Sequence, residues 1–206
     1  MKNFILFFIL FSLLYNIEIF SGSEPLELTK YADKQIVMTS DGQILMSVWQ
    51  ETENPAENIF YTKIEFTRSN DYGQTWSSHI FLSPIVQTSA IFEAPKIVMS
   101  TDGQRAIVIW KVICCDTKNY VVQAIRTDDY GVKWKDLTII STENYISDHK
   151  IVMSDDGRRA LIYWDRKGLD NNNIESIRTD DYGATWKDLK DATAIVAESL
   201  PSEILN

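Results

Sequence analysis

An all-β fold made of repeated four-stranded antiparallel units is predicted by two patterns that each occur three times. The pattern Ser/Thr-x-Asp-Tyr-Gly-x-x-Trp lies at residues 69–76, 127–134 and 179–186. The pattern Ile-Val-Met-x-x-Asp-Gly precedes each copy, at residues 36–42, 97–103 and 151–157. The two recur at intervals of roughly 50 to 60 residues, enough for four short strands and their turns. The sequence therefore predicts about three blades of the β-propeller type.

The first repeat shows how one blade is built. Short apolar runs and period-two alternation predict strands at residues 36–39, 44–49, 59–68 and 80–83. In the third strand, Phe60, Ile64 and Phe66 share one face, while Lys63 and Glu65 share the other. Residues 50–58, which include a proline, are predicted to form a loop. In the last repeat, residues 192–198 are predicted as the fourth strand.

Two turns hold each predicted blade together. The Asp-Gly pair that ends the first pattern suits a hairpin, since Gly accepts positive φ and Asp bonds to the local backbone. In the eight-residue pattern, the carboxylate is predicted to accept bonds from turn amides and from the Ser or Thr hydroxyl. The Trp is predicted to pack between the hairpins of its own blade. The predicted structural residues are Asp71, Gly73, Trp76, Asp129, Gly131, Trp134, Asp181, Gly183 and Trp186.

The eight-residue pattern resembles the Asp-box, or bacterial neuraminidase repeat, of sialidase-like β-propellers. The first and third copies match it fully, including Thr75 and Thr185, while Lys133 replaces this Thr in the second copy. The resemblance covers residues 36–186 and implies a propeller of four-stranded blades. It does not fix a function, because Asp-boxes are also found in other glycosidases, sorting receptors and binding proteins.

The amino-terminal residues 1–23 are predicted to be a signal peptide. Lys2 is followed by an apolar run over residues 4–15, and small residues at 21–23 suit cleavage. An uncleaved membrane anchor is the alternative, although Asn16 and Glu18 interrupt the apolar stretch. We therefore expect a secreted or periplasmic protein. Its single propeller-like domain, residues 24–206, contains repeats at about 31–87, 88–146 and 147–199.

Charge and cysteine content narrow the classes of partner. The formal net charge of −9 disfavours nucleic acid and anionic membrane surfaces, which require clustered Lys and Arg. No spacing suits a zinc site, and no metal or other cofactor is expected. The two cysteines, Cys114 and Cys115, are adjacent. A vicinal disulfide, an intermolecular bridge, free thiols and a plain strand end all remain open for them.

Strand order predicts two distinct faces of the disc. In an antiparallel blade the first and third turns lie at one end, so the Asp-Gly turns and the Asp-box turns share a face, here called the box face. The opposite end is called the channel face. It is predicted to carry the loops and blade connections at residues 50–58, 111–119, 165–173, 84–94 and 141–149. The resemblance places binding and catalytic sites on the channel face.

The residues that the resemblance implies for a sialidase are incomplete. Such enzymes use three arginines, an Arg-Ile-Pro motif, a tyrosine nucleophile supported by Glu, and an acid/base Asp. Arg-Ile-Pro does not occur in this sequence. Arg68, Arg126 and Arg178 each lie three residues before a box Asp, which places them at the box face. Only Arg166 lies in a predicted channel-face loop, so three carboxylate clamps cannot be assembled.

Another glycosidase requires two carboxylates about 5–10 Å apart. The channel-face candidates are Glu51, Glu53, Glu57, Glu93, Asp116, Glu143, Asp148, Asp165 and Asp170. His149 is a further polar candidate at a predicted blade connection. The sequence does not choose among these residues, since acidic loop residues commonly serve solubility alone.

Three tryptophans repeat at the ends of the second strands: Trp49, Trp110 and Trp164. Their rings can either stack on sugars at the channel face or pack between blades. With Arg166 and His149 they are the binding candidates. The predicted function is non-catalytic binding of a glycan or protein. The alternative is a sialidase-like glycoside hydrolase or a truncated remnant of one.

Three blades do not close a ring, because propellers have four to eight. An isolated arc exposes apolar blade faces at both ends. Two chains can complete a six-bladed ring as a homodimer. The chain can also be a truncated or split product, or three blades can close with distortion.

Overall fold

The computed structural model describes residues 34–56, 59–83, 91–114, 119–143, 146–167 and 172–191. These residues form three four-stranded antiparallel sheets, each with its strands in chain order. Blade 1 consists of β1 (Gln35–Met38), β2 (Leu45–Ala56), β3 (Ile59–Ser69) and β4 (Ile80–Phe81). Blade 2 consists of β5 (Ile91–Met99), β6 (Ala106–Cys114), β7 (Asn119–Thr127) and β8 (Lys135–Glu143). Blade 3 consists of β9 (Ile146–Met153), β10 (Ala160–Lys167), β11 (Asn172–Thr179) and β12 (Lys187–Asp191).

The predicted fold class is confirmed: the chain is an all-β partial propeller. Within each blade the first strand pairs with the second, the second with the third and the third with the fourth. Each Asp-Gly turn joins the first two strands, and each eight-residue motif joins the last two. We call the latter the box turns.

The predicted loop at residues 50–58 is wrong in part, because β2 continues to Ala56. Glu51 pairs with Lys63 across the hairpin, and Glu53 pairs with Tyr61. The Lys63 ammonium lies 3.8 Å from the Glu51 carboxylate. Polar residues are compatible with a strand when cross-strand partners compensate them. The register shifts between Glu53 and Ala56, around the proline that breaks the regular pairing.

The other predicted channel-face loops are shortened in the same way. The strand β6 continues to Cys114 and β7 begins at Asn119, while β10 continues to Lys167 and β11 begins at Asn172. The connections are shorter as well, since β5 begins at Ile91 and β9 at Ile146. The hairpins therefore extend as ladders toward the channel face. Cys115 lies outside the described residues.

The fourth strand of blade 3 is β12, which begins directly after Trp186. The prediction placed this strand at residues 192–198, which lie outside the described part of the chain. The same holds in blade 2, where β8 begins directly after Trp134. Only blade 1 inserts three residues between its box Trp and β4.

The cores lie between blades rather than within them. One buried cluster joins Met46, Val48 and Phe66 of blade 1 to Val108 and Trp110 of blade 2. A second joins Ile107, Ile109 and Ala124 of blade 2 to Ile162 and Trp164 of blade 3. Alternate residues of one strand point to opposite faces, so a central blade contributes to both cores.

The predicted signal peptide, residues 1–23, lies outside the described residues. In the part of the chain that the structure describes, we find no helix with the length and hydrophobicity that a membrane crossing requires.

Candidate functional site

The box turns are closed by a repeated set of hydrogen bonds. In the first, the Ser69 hydroxyl donates to the Asp71 carboxylate at 2.7 Å, and the Thr75 amide donates to the same oxygen at 2.9 Å. The Gly73 amide donates to the Ser69 hydroxyl at 2.9 Å. The Thr75 hydroxyl binds the second carboxylate oxygen. One carboxylate thereby fixes both ends of the turn.

The third box turn repeats these contacts, while the second lacks one of them. The Thr185 hydroxyl donates to Asp181 at 2.6 Å. Lys133 has no hydroxyl, so Asp129 accepts from the Lys133 amide and the Thr127 hydroxyl. The hydroxyl and then the amide of Thr75 lower the pKa of Asp71 to about 2, and Thr185 lowers that of Asp181 to about 2 in the same way.

These depressed pKa values predict acid sensitivity of the fold. Both carboxylates titrate below the ordinary value of 3.8, so their stabilisation is complete above that pH and is lost as pH falls toward about 2. We expect the melting temperature to drop across this window. In the double variant Asp71→Asn and Asp181→Asn, stability at neutral pH is lower and the acid-dependent drop is smaller. Melting curves followed by circular dichroism between pH 2 and 7 measure both effects.

The matched control for this titration is Asp155→Asn, a change at an exposed residue outside the box turns. It should leave both the neutral stability and the acid-dependent drop unchanged. An unaltered acid drop in the double variant would contradict the assignment to the box carboxylates.

The box-face arginines bind backbone and carboxylate groups of the turns. The Arg126 guanidinium donates to Asp136 through Nε at 2.7 Å, and its Nη2 lies 2.6 Å from the same carboxylate. The Arg68 Nη1 donates to the Tyr130 carbonyl of the next blade at 3.2 Å. Arg178 lies at the equivalent position of blade 3, beside Thr179 and Asp180. None of the three extends to the channel face.

The three repeated tryptophans are buried. Trp49 and Trp110 are 0% exposed and Trp164 is 1% exposed. Trp110 packs between blades 1 and 2 and Trp164 between blades 2 and 3, while Trp49 makes an edge-to-face contact with His79 at 4.8 Å. This burial favours packing over sugar stacking, because stacking requires an open ring face.

Two of these rings are oriented by acceptors that the sequence analysis did not identify. The Trp110 Nε1 donates to Gln123 at 3.0 Å, and the Trp164 Nε1 donates to Glu175 at 3.2 Å. Glu65 is the cross-strand neighbour of Trp49. Glu65, Gln123 and Glu175 each lie six residues before a box Asp. That fixed spacing is the signal that identifies them.

His149 lies inside β9 and is not in a loop, contrary to the prediction. It is 1% exposed and stands opposite Trp164 in the β9–β10 ladder. Arg166 also lies in a strand, opposite Ile146, but its side chain is outside the described set. The burial of His149 rules it out as an open ligand-binding group.

The channel face carries a different polar set. The Lys111 Nζ lies 5.3 Å from the centre of the Tyr120 ring, on the side of β6 that faces blade 3. On β9 the exposed Lys150 ammonium lies 3.5 Å from the Asp148 carboxylate. Asp165 is exposed at the same end of blade 3. Asp148, Lys150 and Asp165 alternate along their strands with residues that face blade 2. They therefore lie on the opposite side of the blade 3 sheet from Lys111 and Tyr120.

Of the predicted candidate carboxylates, the structure describes the side chains of Glu51, Asp148 and Asp165. The described side chains contain no cluster of three His, Cys, Asp or Glu that is suited to a metal ion. Among these described carboxylates, Glu51 pairs with Lys63 and Asp148 pairs with Lys150.

No family model matches this sequence, and no curated protein matches it. The fold is similar to two solved structures of an α-L-arabinofuranosidase from Fusarium graminearum, one with an iminosugar inhibitor and one with arabinobiose. Each similarity has a TM-score of 0.52 and 15% identity and covers 79% of this chain and 50% of the enzyme. This chain therefore spans about half the length of that enzyme.

An exo-β-1,3-galactanase from Clostridium thermocellum is similar at a TM-score of 0.42 with 10% identity, over 77% of this chain and 34% of that one. That likeness is too distant to carry an argument. The arabinofuranosidase comparison shows the fold alone: this chain has the architecture of part of a β-propeller.

Proposed function

We propose that this chain is a sialidase-like Asp-box propeller module that binds a glycan or a protein at its channel face without hydrolysing it. The distribution of arginine carries the proposal. Six of the seven arginines lie in or beside the turns of the box face, and Arg166 is the exception. A sialidase clamp requires several guanidinium groups around one substrate carboxylate.

The channel face supplies polar contacts that suit a hydroxyl-rich ligand. Lys111 provides a cation beside the ring of Tyr120, and both residues are half-buried. Few, fixed polar groups next to an aromatic ring are typical of small-ligand sites. A glycan is therefore the first ligand to test.

Export belongs to the same proposal. Residues 1–23 direct the chain to a secreted or periplasmic location, where glycans of surfaces and matrices are accessible. The protein used for binding should therefore be expressed as the full chain in a secreting host, with its intact mass measured to locate the cleavage.

The test is a glycan array followed by titration calorimetry on any ligand found. Lys111→Ala is expected to weaken binding about tenfold, as for the loss of one charge-assisted hydrogen bond. The matched control is Lys133→Ala, at an exposed position of the second box turn. Equal weakening by both changes would contradict a channel-face site.

Hydrolysis assays separate this function from its alternative, a glycoside hydrolase or a remnant of one. Glu51, Asp148 and Asp165 supply carboxylates on the channel face, which such an enzyme requires in pairs. Fluorogenic sialosides and α-L-arabinofuranosides are expected to remain uncleaved. Turnover by the wild-type protein that is lost in Asp148→Asn or Asp165→Asn would contradict the binding proposal and support a glycoside hydrolase.

A further inference from the structure

The contacts of blade 1 with blade 2, and of blade 2 with blade 3, show how neighbouring blades pack. We call them the first and the second junction. At the first, Gly131 of the blade 2 box turn lies against blade 1, where a Cβ on it would come within 2.8 Å of Phe66 and 3.3 Å of Met46. At the second, Gly183 lies against blade 2, with Ile107 at 2.9 Å and Arg126 at 3.5 Å from such a Cβ.

The Asp-Gly turns make the second part of each junction. Gly103 seats on Thr39 and Ile44 of blade 1, and Gly157 seats on Ser100 and Arg105 of blade 2. At the second junction the Arg105 guanidinium lies 4.3 Å from the Tyr182 ring centre, and the Thr101 amide donates to the Asp155 carbonyl at 2.8 Å. At each junction, the Asp-Gly turn and the box turn of one blade therefore pack against a surface of the preceding blade. We call this surface the socket; in blade 2 it includes Ser100, Arg105, Ile107 and Arg126.

Blade 3 carries a complete socket that no described residue fills. A groove of about 610 Å³ is lined by Ser154, Arg159, Leu161 and Arg178. In the repeat these residues are the counterparts of Ser100, Arg105, Ile107 and Arg126, the groups on which blade 3 itself seats. Val152, at the rim of the groove, is 51% exposed.

The Asp-Gly turn and the box turn of blade 1 are the matching turns, and no described blade packs against them. Among the described residues, a Cβ on Gly73 would meet only Leu45, at 3.8 Å, and one on Gly42 would meet only Tyr72, at 4.0 Å. Tyr72 is 62% exposed, against 41% for Tyr130 and 36% for Tyr182. Ile36 is 42% exposed, whereas its counterparts Ile97 and Ile151 are 6% and 9% exposed.

We infer that the blade 3 groove binds the blade 1 turns of a second copy of this chain, and that two such contacts close a six-bladed ring. Repeat equivalence assigns the contacts. By equivalence with the second junction, Arg159 lies over the Tyr72 ring of the partner copy and Leu161 packs against Gly73. By equivalence with Arg68 at the first junction, Arg178 donates to the Tyr72 carbonyl. Two arginines of the groove, whose lining also includes Asp180, meet an aromatic ring and a carbonyl, so the two surfaces are chemically complementary.

Twofold symmetry follows from this head-to-tail contact. A heterologous contact forms a closed ring when its rotation closes, and two arcs of three blades close with two identical contacts. Closure also covers the exposed apolar residues at both ends of the arc, which otherwise favour open assembly. This inference goes beyond ligand binding and concerns a different face of the molecule.

The test measures the mass of the full chain by sedimentation velocity over a range of concentrations. We expect twice the mass of one chain. Leu161→Arg places a charge in the groove and should raise the dimer dissociation constant at least about 30-fold. Leu137→Arg, at a residue 44% exposed on β8, is the matched control and should leave the dimer intact.

A double-mutant cycle tests the contact with changes that leave the folded core untouched, because Arg159 and Tyr72 are both exposed. Arg159→Ala and Tyr72→Ala should each raise the dissociation constant about five- to tenfold, and the double variant should raise it no further. Independent, multiplicative effects would overturn the contact. A wild-type monomer at all concentrations, or an open series of larger assemblies, would overturn the ring.

Discussion

Replacing Trp110 by alanine is expected to reduce the free energy of unfolding by about 3–5 kcal/mol, as for other buried aromatic truncations. The ring is 0% exposed and lies in the core that joins blades 1 and 2. The change also removes the hydrogen bond from Nε1 to Gln123 at 3.0 Å. Because domains are commonly stable by about 5–15 kcal/mol, this is a large share of the total. Urea unfolding followed by far-ultraviolet circular dichroism measures it.

The matched control is Val132→Ala, at a residue of the same blade that is 53% exposed. It should change the unfolding free energy by less than about 0.5 kcal/mol. Trp110→Phe should lie between the two, since it retains part of the ring volume. A loss below about 1 kcal/mol for Trp110→Ala would contradict packing between the blades.

The turns of this fold are predictable from the sequence because their chemistry is local. An Asp carboxylate, a hydroxyl two residues earlier and a Gly two residues later specify the box turn at Asp71 and again at Asp181. The observed φ of +79° at Gly73 shows why this position takes glycine. Tyr72 also has positive φ, at 62°, which the motif alone did not suggest.

Strand lengths at the channel face depend on contacts that the sequence pattern does not report. The polar character of residues 50–58 predicts a loop, but pairing of Glu51 with Lys63 continues the ladder as far as Ala56. The same reasoning misplaced His149, which lies in β9 opposite Trp164. Cross-strand partners decide these cases, and they belong to the next hairpin strand rather than to the local sequence.

The packing of the box tryptophan depends on the neighbouring blade, so it could not be predicted from one repeat. From the motif alone, this ring is predicted to lie between the hairpins of its own blade. In the structure the Trp134 ring meets the Phe66 ring of blade 1 edge-to-face, at a centroid distance of 4.9 Å. Repeat proteins bury their apolar faces against the next unit, so a side chain near a blade edge contacts the neighbour.

The box turn therefore serves two purposes in this architecture. Its carboxylate closes the turn within one blade, while its glycine and aromatic residues form the contact with the preceding blade. For the same reason, the six arginines near these turns are committed to the box face and the channel face is left without a guanidinium cluster.

The second large effect is expected at Gly131, the box glycine of blade 2. Gly131→Ala should destabilise the protein by about 2–4 kcal/mol, which combines left-handed backbone strain with overpacking. The backbone φ is +76°, and the added Cβ would lie 2.8 Å from the Phe66 ring. The ring is 1% exposed and cannot move aside without opening the core between the blades. Urea unfolding of the two proteins measures the difference.

Gly73→Ala separates the two contributions to this loss. Gly73 has the same conformation, with a φ of +79°, but in the part of the chain that the structure describes its added Cβ would meet only Leu45, at an ordinary 3.8 Å. Both changes are measured in the Leu161→Arg background, so that no second copy covers blade 1. Gly73→Ala should then lose about 1 kcal/mol from strain alone. Equal losses for the two glycines would mean that the blade 2 turn is not seated on Phe66, since only the contact between blades distinguishes them.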